Sequence, residues 1–287
     1  MSASIPATVT AHTATPEQKQ ARVYEVFQSI STDYDRMNDV ISLGRHRAWK
    51  RALVRAIAAV RPEAVLDLAS GTGDIALAIA QAVPAARVTA SDFSENMLAV
   101  ARQRFDEAGV ENVTIACENA LSLSFLDDSF DVACVSFGLR NMPDYGQVIA
   151  EMTRVLRPGG RFFCLDSSYP THPLIKPFFR LYFKYLMPLM GTLVAHAPEE
   201  YKWLNDSTEA FLSKDALADL MRKQGLTDVT YRSFLFGGAA LHSGTKPPAT
   251  VPAASATPAT PPVIPAKAGI QNAPTPTVPE PPYQDTE

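Results

Sequence analysis

From Ala64 onward, short apolar runs alternate with stretches whose apolar positions recur every three to four residues. Val65–Ala69 reads as a buried strand, Asp74–Ala82 as a helix and Arg87–Ala90 as a strand. A helix then runs over Ser94–Ala108 and is ended by Gly109. Val113–Ala116, Phe130–Ser136 and Arg161–Asp166 read as further strands, with a helix over Tyr145–Leu156 before the last of them. Strands alternating with helices require right-handed crossovers, so the pattern predicts a mostly parallel sheet. After Ser213 a helix extends to Gln224 and stops at Gly225. Val229–Phe236 and Ala239–Ser243, around Gly237-Gly238, then predict an antiparallel hairpin.

The flanks differ. Residues 1–14 read as a flexible lead, and Thr15-Pro16-Glu17-Gln18 as a helix start: Thr15 caps, Pro16 suits the first helical position and Gln18 completes a capping box. Val23, Val26, Phe27 and Ile30 form the stripe of that helix. A second helix, from Arg45 to Val60, turns Trp49, Leu53, Ile57 and Val60 inward and is stopped by Pro62. At the other end, residues 247–287 hold 12 of the chain's 23 prolines and a single glycine. Such a segment buries too little apolar area to offset its chain entropy and reads as disordered. Val263–Gln271 resembles peptides translated from intergenic repeats, which favours an appendage over a proline-rich ligand. The folded part is therefore expected over residues 15–246.

Between Leu174 and Leu193, Lys176, Arg180 and Lys184 recur every four residues among aromatic and aliphatic neighbours. This is the signature of a lid near 170–210, or of a helix at a lipid surface, with a core helix bearing a solvated basic face as the alternative. No run of 18 uncharged apolar residues occurs, and residues 1–16, which carry no Lys or Arg, do not read as a secretory leader.

Charge and cysteine narrow the function classes. Lys and Arg number 26 against 30 Asp and Glu, a net charge of −4, which disfavours a general nucleic-acid binder. Cys117, Cys134 and Cys164 lie at no metal-like spacing; they read as small core residues kept reduced in a cytoplasmic chain.

The candidate chemistry starts where the first strand runs into Asp67-Leu68-Ala69-Ser70-Gly71-Thr72-Gly73-Asp74. A strand feeding a glycine turn that opens a helix directs backbone N–H groups at a ligand, and Gly71 and Gly73 let that ligand approach the main chain. Asp92 lies 21 residues beyond Gly71 at the end of the second strand, the place of a carboxylate that accepts both hydroxyls of an adenosine ribose. A nicotinamide dinucleotide is one reading, since Gly71-Thr72-Gly73-Asp74-Ile75-Ala76 fits a tolerated fingerprint variant. The helical region before the first strand, the terminal hairpin and the Arg154–Arg161 segment before the fifth strand oppose it. This set resembles the class I S-adenosylmethionine-dependent methyltransferases, Rossmann-like α/β proteins with a seven-stranded, mostly parallel sheet and a reversed last strand.

Two further segments are more specific. Tyr34-Asp35-Arg36-Met37-Asn38, followed by Ile41-Ser42, His46 and Trp49, resembles the N-terminal signature of the ubiquinone/menaquinone C-methyltransferase (UbiE) family. Ser136-Phe137-Gly138-Leu139-Arg140-Asn141 and Arg154–Arg161 resemble two other segments of that family. The resemblance implies methyl transfer from S-adenosylmethionine, without a metal, to a ring carbon of a polyprenylated quinol on the menaquinone or ubiquinone route. By motif it implies donor contacts at Gly71, Thr72, Gly73, Asp92, Asn119, Ala120 and Ser136. Around Asn119-Ala120 the sequence departs slightly from the family's usual acidic, proline-containing continuation. Arg140 is expected to stabilise the developing quinolate and Asn141 to hold a quinol oxygen, while Tyr34, Asn38 and His46 close over the substrate. Transient contact with a membrane surface and a homodimer are further expectations. An O-methyltransferase of another lipophilic phenol and a non-catalytic scaffold are the competing readings.

Overall fold

The structure, a computed structural model, describes residues 44–170, 173, 174, 177, 181 and 206–249. Tyr34, Asn38, the expected helix from Thr15, the N-terminal lead and nearly all of the expected lid lie outside the described residues. The chain divides into a unit ending at Ala249 and a second, Thr250–Glu287, which also lies outside them.

The first described helix is α1 (His46–Val60), which faces Trp49, Leu53 and Ile57 inward at helical spacing. Burying Leu53 and Ile57 completely contributes about 1.5–3 kcal/mol each. Then come β1 (Ala64–Leu68), α2 (Asp74–Ala82), β2 (Arg87–Asp92), α3 (Glu95–Ala108) and β3 (Val113–Cys117). β4 (Phe130–Ser136) leads through a 3-10 turn at Leu139–Asn141 into α4 (Tyr145–Val155) and β5 (Leu156–Ser167). The chain closes with α5 (Lys214–Lys223), β6 (Thr227–Phe234) and β7 (Ala239–Thr245).

The strands form one seven-stranded sheet in the order β3-β2-β1-β4-β5-β7-β6. Neighbours from β3 to β5 pair in parallel, and β7 runs antiparallel to both β5 and β6. Adjacent residues on a strand serve opposite faces. Val65 and Phe163 join Leu53, Ile57, Ile79 and Phe105 on the α1–α2–α3 side. Leu66, Leu68 and Phe162 join Val148, Met152, Leu217 and Met221 under α4 and α5. β1 is buried along its whole length, as a strand central to a two-faced sheet must be.

Most predicted elements stand within two residues of their expected ends. β5 is the exception: it starts at Leu156 instead of Arg161, because Phe130 pairs with Leu156 and Val132 with Arg161 across a bulge that absorbs Arg157–Gly160. Cys134 and Cys164 are buried, but Cys117, expected in the core, is exposed because β3 is an edge strand. Among the described residues no helix is long and apolar enough to cross a membrane.

Candidate functional site at the carboxyl edge of the sheet

The carboxyl ends of β1, β2 and β4 surround a cleft lined by Asp67, Ser70, Gly71, Asp92, Met97, Asn119, Leu121, Ser136, Asn141 and Met142, among others. Its floor is the turn between β1 and α2, where Ala69, Gly71 and Gly73 all take positive φ, at 53°, 55° and 81°. The turn is tied down by Ser70 N–H donating to Ser91 O at 2.9 Å and Gly73 N–H donating to Ser70 O at 2.9 Å. Ser94, Asp144 and Ser213 cap α3, α4 and α5 through their side chains, but Gly73 caps α2 without one. The turn thus starts α2 without an N-cap side chain, and in its first turn the Ala76 amide is directed at the Asp67 carboxyl.

Asp92 is 6% exposed and uses both carboxylate oxygens. Oδ2 accepts from Gly71 N–H at 2.9 Å and Oδ1 from Ser94 N–H at 2.9 Å. Burial pushes this carboxyl upward, and the backbone donors at Ser94 and Gly71 oppose the rise. Asp92 therefore braces the glycine turn as well as facing the cleft, a double role that spacing alone did not show.

Asp67 was not singled out from the sequence. The parallel register sets it beside Cys134, whose thiol reaches Asp67 Oδ1 at 3.4 Å, while Oδ2 finds no partner among the described residues. Burial, and then the charge of Asp74, push its carboxyl from 3.8 up to about 8, so at neutral pH it is held mainly in its protonated form. Its place, an acid on a strand just before a glycine turn, is the signal that could have found it. Lys50 on α1 also lines the cleft, and it forms an ion pair with Asp74 at the start of α2. A lone lysine on an amphipathic helix carried no such signal.

The expected residues separate into two groups. Gly71, Asp92, Asn119, Ala120, Ser136 and Asn141 line the cleft together. Ser136 Oγ and Asn141 Oδ1 are buried with no hydrogen-bond partner among the described residues. Thr72, Gly73, Arg140 and His46 do not line it. Thr72 Oγ1 instead accepts from Arg104 at 3.1 Å. Gly73 faces α3 so closely that a Cβ there would meet the Phe105 ring at 2.6 Å. His46 is buried at the start of α1.

Arg140, expected to face the substrate, is 3% exposed. Its Nη1 donates to Asp166 Oδ1 at 2.6 Å, its backbone N–H to Asp166 Oδ2 at 3.1 Å, and its guanidinium stacks over Phe137 at 5.6 Å. The pairing locks the Leu139–Asn141 turn to the end of β5 and so presents Asn141 to the cleft. Gly138 matters for the same turn, because a Cβ there would lie 2.7 Å from that of Ala69 at the end of the neighbouring β1. On the remaining side Arg154 braces the loop behind Leu121. Nη2 donates to Leu123 O at 2.9 Å, and Nη1 to Phe125 O at 2.8 Å and Asp127 Oδ1 at 2.7 Å.

The ubiE/COQ5 methyltransferase family matches this chain over residues 15–246. A demethylmenaquinone methyltransferase of Shouchella clausii is 44% identical over 232 residues, covering 80% of this chain and 99% of its own. One of Geobacillus kaustophilus is 44% identical over 231 residues, with the same coverage of 80% and 99%. In fold, the chain is similar to a SAM-dependent methyltransferase of Thermotoga maritima, with a TM-score of 0.53 at 20% identity over 78% of this chain and 99% of the other.

Proposed function

Because this chain belongs to the ubiE/COQ5 methyltransferase family, we propose that it methylates a ring carbon of a prenylated naphthoquinol, converting a demethylmenaquinol to a menaquinol with S-adenosylmethionine as donor. The observation that carries the reading is the 44% identity that extends over 99% of a demethylmenaquinone methyltransferase. The cleft supports the donor. Its buried polar atoms without a partner among the described residues include Ser136 Oγ and Asp67 Oδ2, the latter an O–H donor while the carboxyl is protonated, and they suit a ligand that carries both donors and acceptors. Asp92 spends one lone pair of each oxygen on a backbone N–H and keeps others for the two ribose hydroxyls. Asn119, Ala120 and Leu121 make the wall against the adenine, held by the Arg154 brace. When bound, the donor supplies an electrophilic methyl group.

The protein's task is then to align a weak carbon nucleophile with that methyl and to raise its electron density. Asn141 Oδ1 accepts a hydrogen bond from a quinol hydroxyl, which drives density to the neighbouring ring carbon. Arg140 acts one step removed: neutralised by Asp166, it holds the turn that carries Asn141. For Tyr34, Asn38 and His46, a role toward the quinol rests on the family's N-terminal signature alone. The prenyl chain brings the enzyme into transient contact with a membrane surface, on the cytoplasmic side where the donor is made.

The test is incubation of the purified chain with S-adenosylmethionine and a chemically reduced, demethylated prenyl-naphthoquinone, followed by air oxidation and mass spectrometry. Carbon methylation returns a methylated quinone. An O-methyl ether, which cannot reoxidise to the quinone, or no methylated product, overturns the reading.

A further inference from the structure

We propose that Lys50 reads the carboxylate of the methyl donor's amino-acid end and makes the site selective for a donor with an intact amino-acid tail. This rests on the function proposed above. Lys50 lies on the wall of the cleft with its side chain 13% exposed. Among the described lining residues it is the only cation, set against Asp67, Asp74 and Asp92. Among the described residues, an anionic group entering this cleft therefore meets Lys50 or backbone N–H groups to compensate its charge.

The placement is built, not incidental. Trp49 is wedged between Phe137 and Phe234, with ring centroids at 6.3 and 6.0 Å, which fixes the rotation of α1 about its axis. With residue 49 turned into the core, residue 50 falls at the border between core and cleft. There it pairs with Asp74, the first residue of α2. The pair carries one positive and one negative group side by side, the inverse of an amino-acid zwitterion. A ligand carboxylate meets Lys50 at the start of α2. The adjoining ammonium meets Asp74. The zwitterion thus completes a four-charge arrangement in a partly desolvated site, where a carboxylate without a cation would be costly.

The inference is a statement about ligand discrimination, so it is tested by binding. Titration calorimetry of the full chain compares S-adenosylmethionine with its decarboxylated analogue, which keeps the ammonium, sulfonium and adenosine. The wild type is expected to prefer the intact donor. Lys50→Met should weaken the intact donor about 10- to 100-fold, as for loss of a charged hydrogen bond. It should move the decarboxylated analogue by no more than about twofold, so that the preference collapses. Lys50→Arg should retain most of it. Should Lys50→Met not fold, Lys50→Gln carries the same comparison. Equal weakening of both ligands would reduce Lys50 to a partner of Asp74 and overturn the proposal. So would a preference that survives the substitution, or a wild type that shows none. A wild type that binds neither ligand would instead bring down the donor assignment itself, and this inference with it.

Discussion

Asp67 is the residue where the fold most alters ordinary chemistry. Its carboxyl, pushed from 3.8 to about 8 by burial and then by Asp74, keeps its proton in the folded state while the unfolded chain has lost it. Stability from this group is therefore full below about pH 4, declines as pH rises, and levels off above about pH 8. Asp67→Asn removes that slope. The melting temperature of the variant, relative to wild type, is expected to be higher at pH about 8 than at pH about 5. An offset that does not change with pH would mean that Asp67 is ionised in the fold. The sequence made Asp92 legible because its position depends on local spacing. Asp67 was not legible as a perturbed acid, because the rise comes chiefly from burial between strands and helices that only the assembled sheet brings together.

At the scale of elements, two short turns decide the geometry of the site. In the first, Gly73 is needed for packing: with φ 81°, and Phe105 and Ala101 within 2.9 Å of any Cβ, it lets α3 press against α2. Gly73→Ala should cost about 1–3 kcal/mol of stability by overpacking and backbone strain, read from urea unfolding. A cost near zero would show that α3 can retreat. The second turn, Leu139–Asn141, hangs on the buried Arg140–Asp166 pair. Arg140→Met leaves Asp166 as an uncompensated buried acid and should cost about 3–5 kcal/mol. Adding Asp166→Leu should recover much of that loss, since apolar replacement of a buried pair is often nearly neutral. If the double variant is no more stable than the single one, the pair is not the constraint on the turn. The glycine signature located the first turn; that Gly73 packs on Phe105 and that Thr72 Oγ1 accepts from Arg104 depend on α3, which the local window does not contain.

For the whole molecule, Lys246 ties the segment after β7 to the start of β5. Its Nζ donates to Leu156 O at 2.7 Å and Arg154 O at 3.0 Å, and its backbone N–H donates to Gly160 O at 2.9 Å. It closes the edge of the sheet where β5 begins. Removing Thr250–Glu287 is expected to leave the melting temperature and methyl transfer unchanged, given the proline-rich composition of that segment. Ending the chain at Thr245 should lower the melting temperature, because the carbonyls of Arg154, Leu156 and Gly160, the Gly159 N–H and the Asp128 carboxylate lose a partner. Equal stability of the two truncations would remove Lys246 from the edge. A loss already present in the longer one would assign the tail a role that its composition does not suggest.

Periodicity and turn chemistry in the sequence alone determined the order of helices and strands, the glycine turn and the acid at the end of β2, since each is a matter of neighbouring residues. The same patterns foresaw a terminal hairpin, but not that β7 would insert between β5 and β6. Tertiary packing decided that. β7 is buried on both faces through Ala239, Ala240 and Leu241, whereas Thr227–Phe234 is mostly exposed and can only be an edge. It also decided the partners of the charged side chains. Arg140 met Asp166 across 26 residues and Lys50 met Asp74 across 24. Such pairs form where the carboxyl ends of parallel strands converge with the helices beside them. Convergence of this kind is a property of sheet order and crossover handedness, which no local window of sequence contains.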